Sequence, residues 1–142
     1  MTGSPPVRFT ILLIDDDLEF LETVAELLAM DGHRVLAASG GADGLRQASA
    51  ERPDLILVDY HMPGMDGLAL VERLKADATT RRIPVVALTS GTGRQANELS
   101  RAGCVGFIPK PFEPATFLRV VAEFLNETGG RNRRINEKGP GP

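Results

Sequence analysis

Five short apolar runs, FTILLI, HRVLAA, LILVD, PVVALT and VGFIP, alternate with segments of helical periodicity, and that alternation leaves few folds open. Between Leu18 and Met30 apolar residues recur at Leu21, Val24, Ala25 and Leu28, the spacing of one helix face. Gly32 is a natural stop for that helix. Ala42 to Glu51 is helical in character and bounded by Pro53. Leu68 to Lys75 sets Leu70, Val71 and Leu74 on one face, Arg94 to Ala102 is a more polar helix ending at Gly103, and Pro114 opens a last helix striped by Phe117, Val120, Val121, Phe124 and Leu125. LILVD is continuously apolar, as a strand is when both of its faces are covered. Five strand–helix units of this kind predict a parallel sheet with right-handed crossovers and helices on both faces. Five units are too few for an eight-stranded barrel, so the sheet is open and doubly wound. Pro109 has no N–H for a ladder, which predicts an edge position for the fifth strand.

These units fill residues 8–126, a single domain. Residues 1–7, with Gly, Ser and two prolines, are predicted to be flexible. So is the segment 127–142, ETGGRNRRINEKGPGP, which has no apolar periodicity. That tail carries Arg131, Arg133, Arg134 and Lys138 against Glu127 and Glu137, a net +2 that leaves −5 on the body. It reads as a solvated tail, or as a weak docking arm for an acidic partner. The whole chain, at −3 with 42% apolar residues, makes no general demand for nucleic acid, and no direct DNA binding is expected. No apolar run approaches the roughly 18 residues of a membrane span, and MTGSPPVRFT lacks the basic start and apolar stretch of a signal peptide. A cytoplasmic protein is the expectation. The single cysteine, Cys104, excludes an internal disulfide and reads as a small core residue beside Ala102, Val105 and Phe107.

Sites in open α/β sheets form beyond the carboxyl ends of the strands. The first strand ends in Asp15, Asp16 and Asp17, the third in Asp59, the fourth in Thr89 and Ser90, and the fifth in Pro109, Lys110, Pro111 and Phe112. In the strand order 2-1-3-4-5 the first and third strands are neighbours, so their acidic ends meet. Two carboxylates about 4 Å apart repel by roughly 4 kcal/mol at an effective dielectric near 20. Lys110 offsets one charge; a divalent ion offsets two, and an all-oxygen site suits Mg²⁺, with Mn²⁺ as the alternative ion. A metal, a lysine and a hydroxyl gathered around a carboxylate nucleophile point to phosphoryl transfer.

With these residues in place, the chain resembles the response-regulator receiver domains of two-component signalling. The resemblance covers roughly Phe9 to Asn126 and rests on four motifs in order: IDDD, VDYHMPGMDG, ALTS and KPF, with Thr89 30 and Lys110 51 residues beyond Asp59. It implies the flavodoxin-like (βα)5 fold. It also implies that Asp59 is the phosphoryl acceptor, that Asp16 is the principal metal ligand with Asp15 beside it, and that Asp59 and the backbone carbonyl of His61 complete the Mg²⁺ set. Thr89 and Lys110 then engage the phosphoryl oxygens, and the Lys110–Pro111 bond is cis. The implied partners are a histidine kinase or histidine phosphotransfer protein as donor and a downstream protein that reads the phosphorylated state. The switching surface is the fourth helix, fifth strand and fifth helix, which is also the candidate homodimer face. No output domain is expected in this chain, so it is read as a stand-alone regulator, a phosphoacceptor rather than an enzyme beyond its own phosphorylation and dephosphorylation.

Three positions depart from the common pattern. Phe107 stands at the switch position often held by tyrosine, so a readout needing that hydroxyl is lost, while a burial switch is retained. His61 and Gly91, each two residues beyond a site residue, are expected to set the lifetime of the aspartyl phosphate. Asp17 reads as a helix N-cap rather than a ligand, and Asp66-Gly67 as a turn. Two rival functions remain open. One is a receiver-fold scaffold that works without phosphorylation. The other is a haloacid-dehalogenase-type phosphatase using Asp15 as nucleophile, which leaves Asp59 unexplained and lacks an acidic pair after a later strand.

Overall fold

The computed structural model describes residues 9–62, 65–89 and 93–129. Five strands, β1 (Thr10–Ile14), β2 (Arg34–Ala38), β3 (Leu55–Asp59), β4 (Val85–Thr89) and β5 (Gly106–Pro109), form one sheet in the order β2-β1-β3-β4-β5. All four pairings are parallel. The helices α1 (Leu18–Met30), α2 (Gly41–Glu51), α3 (Gly67–Ala76), α4 (Gly93–Ala102) and α5 (Pro114–Phe124) connect or follow them, and α5 runs into a π-helical turn, Leu125–Gly129. The doubly wound parallel sheet is the one the alternation predicts, and its strand order is the flavodoxin-like one that the resemblance implies. β5 lies at the edge, so the N–H that Pro109 lacks costs no ladder bond to a further strand.

The core has two layers, one on each side of the sheet, because side chains alternate along a strand. Leu12, Ile14, Ile56, Val58, Val85 and Ala87 face Ala48 of α2, Leu70, Val71 and Leu74 of α3, and Leu99 of α4. Ile11, Leu13, Leu55, Leu57, Val86, Leu88 and Ile108 face Leu21, Val24 and Leu28 of α1 and Phe117 and Val121 of α5. Every residue of β3 and β4 is buried, which accounts for their unbroken apolar runs. α4 is the least anchored helix: Leu99 is its one buried residue, whereas α1 buries three. At about 2 kcal/mol per fully buried leucine, that difference is a large share of a helix's hold on the sheet.

Helix ends follow local chemistry. The Asp17 carboxylate accepts from the N–H groups of Glu19 and Phe20 at 3.1 Å each, so it caps α1 as expected. Gly103 ends α4 with φ 120°, a left-handed region that side chains disfavour. α2 stops one residue earlier than Pro53 requires, at Arg52 in a left-handed conformation. Val105 lies outside β5 and is exposed, so the fifth strand is a residue shorter than its apolar run.

Candidate functional site

β1, β3, β4 and β5 carry the predicted site residues to the carboxyl ends of the sheet's strands. Asp15 follows the last residue of β1 and is 1% exposed; Asp59 ends β3 and is 5% exposed. Asp16, beside them, is exposed. One carboxylate oxygen from each of Asp15, Asp16 and Asp59 lies within 4.8 Å of the others. Lys110 reaches in from the end of β5 and donates to Asp59 Oδ1 at 3.1 Å, with Asp15 Oδ2 3.7 Å from its Nζ. The Lys110–Pro111 peptide is cis.

The two oxygens of Asp15 have different partners. Oδ1 accepts from the backbone N–H of Asp17 at 3.0 Å. Oδ2 is buried and accepts no hydrogen bond. Burial pushes the Asp15 carboxyl up to about 6, with the charges of Asp59 and Asp16 adding to the shift and the Asp17 N–H and Lys110 opposing it. Three carboxylates against one ammonium leave two negative charges uncompensated. A buried acceptor without a donor and a deficit of two charges are what a divalent cation satisfies, so the donor set fits Mg²⁺.

Thr89 ends β4, is 7% exposed, and donates from Oγ1 to Gln95 Oε1 of α4 at 3.1 Å. Its register partner on β5 is Pro109, and Asp59 pairs with Leu88, so the hydroxyl-bearing strand end sits between those of β3 and β5. Phe107 is half-buried and packs against the layer under α2, α3 and α4. The His61 side chain is exposed and meets the Tyr60 ring edge-on, centroids 4.9 Å apart. Gly91 and Ser90 lie outside the described residues.

Several side-chain contacts around the site were not readable from the sequence. Phe20 of α1 places its ring centroid 4.4 Å from Lys110 Nζ. Phe112 lies edge-on to Phe20 at 6.0 Å and stacks on Phe117 at 4.3 Å. Gln95 bonds Thr89, and burial, with the charges of Glu98 and Asp66 nearby, pushes the Tyr60 hydroxyl up. Asp66-Gly67 is more than a turn. The Asp66 carboxylate caps α3 through the Ala69 N–H at 2.8 Å, and a Cβ on Gly67 would lie 2.6 Å from Tyr60 Cα and 2.8 Å from the Asp59 carbonyl oxygen. Only a glycine lets the start of α3 dock on the backbone that presents Asp59. The pairing of an acidic cap with a glycine at N1 was readable; the closeness of the two backbones was not. Cys104 is buried as expected, and burial pushes its thiol up to about 11.

An acidic trio at the carboxyl ends of a doubly wound sheet, bridged by a lysine, defines a class of aspartate-centred cation sites. Residues 11–122 match the response regulator receiver domain family, and the chain belongs to it. It is 33% identical over 117 residues to protein PilH of Pseudomonas aeruginosa, covering 81% of this chain and 96% of that one. It spans only 22% and 53% of the length of two longer curated relatives. Among solved structures it resembles the chemotaxis protein CheY4 of Vibrio cholerae, with a TM-score of 0.78 and 28% identity over 82% of this chain and 98% of that one. It also resembles the receiver domain of the sensor histidine kinase PA1611 of Pseudomonas aeruginosa, with a TM-score of 0.75 and 29% identity over 87% and 99%. That structure has a magnesium ion coordinated in its active site cleft. Receiver domains are signalling modules rather than conventional enzymes, and they bind Mg²⁺ at this acidic pocket. Among the described residues no helix is long and apolar enough to cross a membrane.

Proposed function

We propose that this chain is a phosphorylation-switched regulator that takes a phosphoryl group onto Asp59 from the phosphohistidine of a histidine kinase or histidine phosphotransfer protein. The observation that carries this reading is the Lys110 ammonium held 3.1 Å from Asp59 beside the undonated Oδ2 of Asp15. A carboxylate oxygen of Asp59 forms the new P–O bond as the P–N bond to the donor imidazole breaks, and the imidazole nitrogen keeps the electron pair. Lys110 leaves its contact with Asp59 Oδ1 for the transferred oxygens, and the Thr89 hydroxyl leaves Gln95 for the same group. Asp15, Asp16, Asp59 and the His61 backbone carbonyl would hold Mg²⁺, or Mn²⁺ on the same oxygen set, which neutralises the developing charge when bound. The exposed edge of His61, and Gly91, are assigned to the lifetime of the phosphate.

The weakly anchored α4, with β5 and α5, is the surface whose state changes, since the Thr89 hydroxyl is tied to the Gln95 side chain of α4. A downstream protein, or a second copy of the chain, reads that surface, in the cytoplasm. The test is phosphotransfer profiling against a set of purified histidine kinases, with the modified residue located by mass spectrometry. Transfer that requires a divalent ion and maps to Asp59 supports the reading. Full output by Asp59→Asn without any adduct would favour a phosphorylation-independent scaffold, and an adduct on Asp15 would favour phosphatase-like chemistry.

A further inference from the structure

The Lys110 ammonium has a third neighbour besides the two carboxylates, the face of Phe20 at 4.4 Å from the ring centroid. A cation within about 6 Å of a ring centroid is attracted by the ring's negative face. The placement is built rather than incidental. Phe20 lies on the first turn of α1, and its backbone N–H is fixed by the Asp17 carboxylate at 3.1 Å. Behind it, Phe112 meets the ring edge-on at 6.0 Å and is itself stacked on Phe117 of α5, which is fully buried. The ring is therefore held from its own helix and from the segment that follows Lys110 and Pro111.

We infer that Phe20 is a positioning residue for phosphoryl transfer: its ring forms the floor on which the Lys110 ammonium rests and along which it moves from Asp59 to the transferred phosphoryl oxygens. This rests on the reading of Asp59 as acceptor. The physical reason is a contrast in directionality. A hydrogen bond to a carboxylate weakens steeply when its angle is lost, whereas attraction to a π face varies slowly as the cation slides. The lysine must give up one oxygen and take another while staying charged and within reach. A ring on one side satisfies that requirement without competing for its N–H donors. An aliphatic residue at position 20 would fill space but leave the four-carbon stem free to sample solvent, since the Lys110 side chain is already 28% exposed.

The experiment uses the full chain and acetyl phosphate with Mg²⁺, following Asp59 adduct by intact mass and peptide mapping. Phe20→Leu is expected to slow phosphorylation about three- to tenfold, the range of a partly exposed cation–π contact, mainly at saturating donor rather than through the apparent KM. Phe20→Tyr, which keeps the face, is expected to stay within about twofold of wild type. The Lys110 Hε protons should show an upfield ring-current shift in wild type and Phe20→Tyr that disappears in Phe20→Leu. Phe20→Met serves if Phe20→Leu fails to fold, because its flexible, unbranched side chain keeps the reach of Phe20 and adapts to the site without a ring. Equal rates in wild type and the ringless variants, or Phe20→Tyr as slow as Phe20→Leu, overturn the assignment. No adduct on wild-type Asp59 overturns the acceptor reading instead, and the wild-type control separates that failure from a failure of Phe20 alone.

Discussion

Lys110 and Asp59, 51 residues apart in sequence, form a 3.1 Å contact between Nζ and Oδ1. Neither side chain is placed there by its own element alone: β3 ends at Asp59 in the middle of the sheet, and Lys110 arrives from the edge strand two positions away. The ammonium offsets part of the repulsion among the three carboxylates before any phosphate is present and is the donor nearest the acceptor. Lys110→Ala is expected to lower the phosphorylation rate by roughly 100-fold, the scale seen when one charge-stabilising donor is removed. Asp59→Asn is expected to abolish the adduct while retaining the fold. Intact-mass kinetics with acetyl phosphate, together with circular dichroism of both variants, checks the pair. A Lys110→Ala rate equal to wild type would remove the lysine from the chemistry.

The Asp15 carboxyl ties function to a stability cost. Its folded-state value of about 6 lies above the ordinary 3.8, chiefly through burial. The proton is thus bound more tightly in the folded state. The corresponding stability is fully present below pH 3.8 and is lost as pH rises through about 6. In metal-free protein the loss across that window is at most about 3 kcal/mol, two pH units at 1.36 kcal/mol each. Asp15→Asn is expected to stabilise the metal-free chain at pH 7 and to flatten this part of its pH profile. It should also remove most of the stabilisation that Mg²⁺ gives the wild type by binding the folded state. Thermal melts in EDTA and in excess Mg²⁺, from pH 4 to 8, read both effects. A variant less stable than wild type in EDTA would show that the Oδ2 oxygen has found a partner in solution.

Gly67 is where the fold and the acceptor meet. A Cβ there would overlap Tyr60 Cα and the Asp59 carbonyl oxygen, both backbone atoms that cannot swing aside. Gly67→Ala must push α3 away from the end of β3 or move Asp59. The expected cost is about 1–3 kcal/mol in unfolding free energy, as for other overpacked sites, together with slower phosphorylation. Urea denaturation and the adduct assay measure the two. Loss of stability with an unchanged rate would mean that α3 yields and the acceptor does not.

The sheet was legible because its strands are continuous apolar runs closed by turn residues, and buried β3 and β4 are the clearest case. The acidic trio and Lys110 were legible for a related reason. A polar residue directly after such a run has to stand at the strand's end, and the strand order brings those ends together. What stayed hidden depends on side chains crossing between elements. Phe20 looks like one more apolar residue of α1, and nothing in its spacing says that its ring turns toward Lys110. Gln95 is one of several polar residues on a polar helix, and its bond to Thr89 depends on where α4 lies on the sheet. Val105 belonged to an apolar run yet is exposed, because β5 starts one residue later at the sheet's edge.

Thr89 and Gln95 supply the last expectation. Their 3.1 Å bond ties the hydroxyl at the end of β4 to the first turns of a helix that buries only Leu99. When the hydroxyl turns to a phosphoryl oxygen, that tie is given up, and α4 keeps its apolar anchor, Leu99. Gln95→Ala should therefore reproduce in the unphosphorylated chain part of the loosening that phosphorylation causes. A neutral hydrogen bond contributes about 1 kcal/mol net, so amide exchange in the first turns of α4 is expected to rise about fivefold. Phosphorylation of this variant should then change α4 exchange less than it does in wild type, while exchange in α1 stays unaltered in both. Hydrogen–deuterium exchange with and without acetyl phosphate gives all four values. Equal α4 protection in wild type and Gln95→Ala would place the hold on this helix in Leu99 rather than in the Thr89 contact.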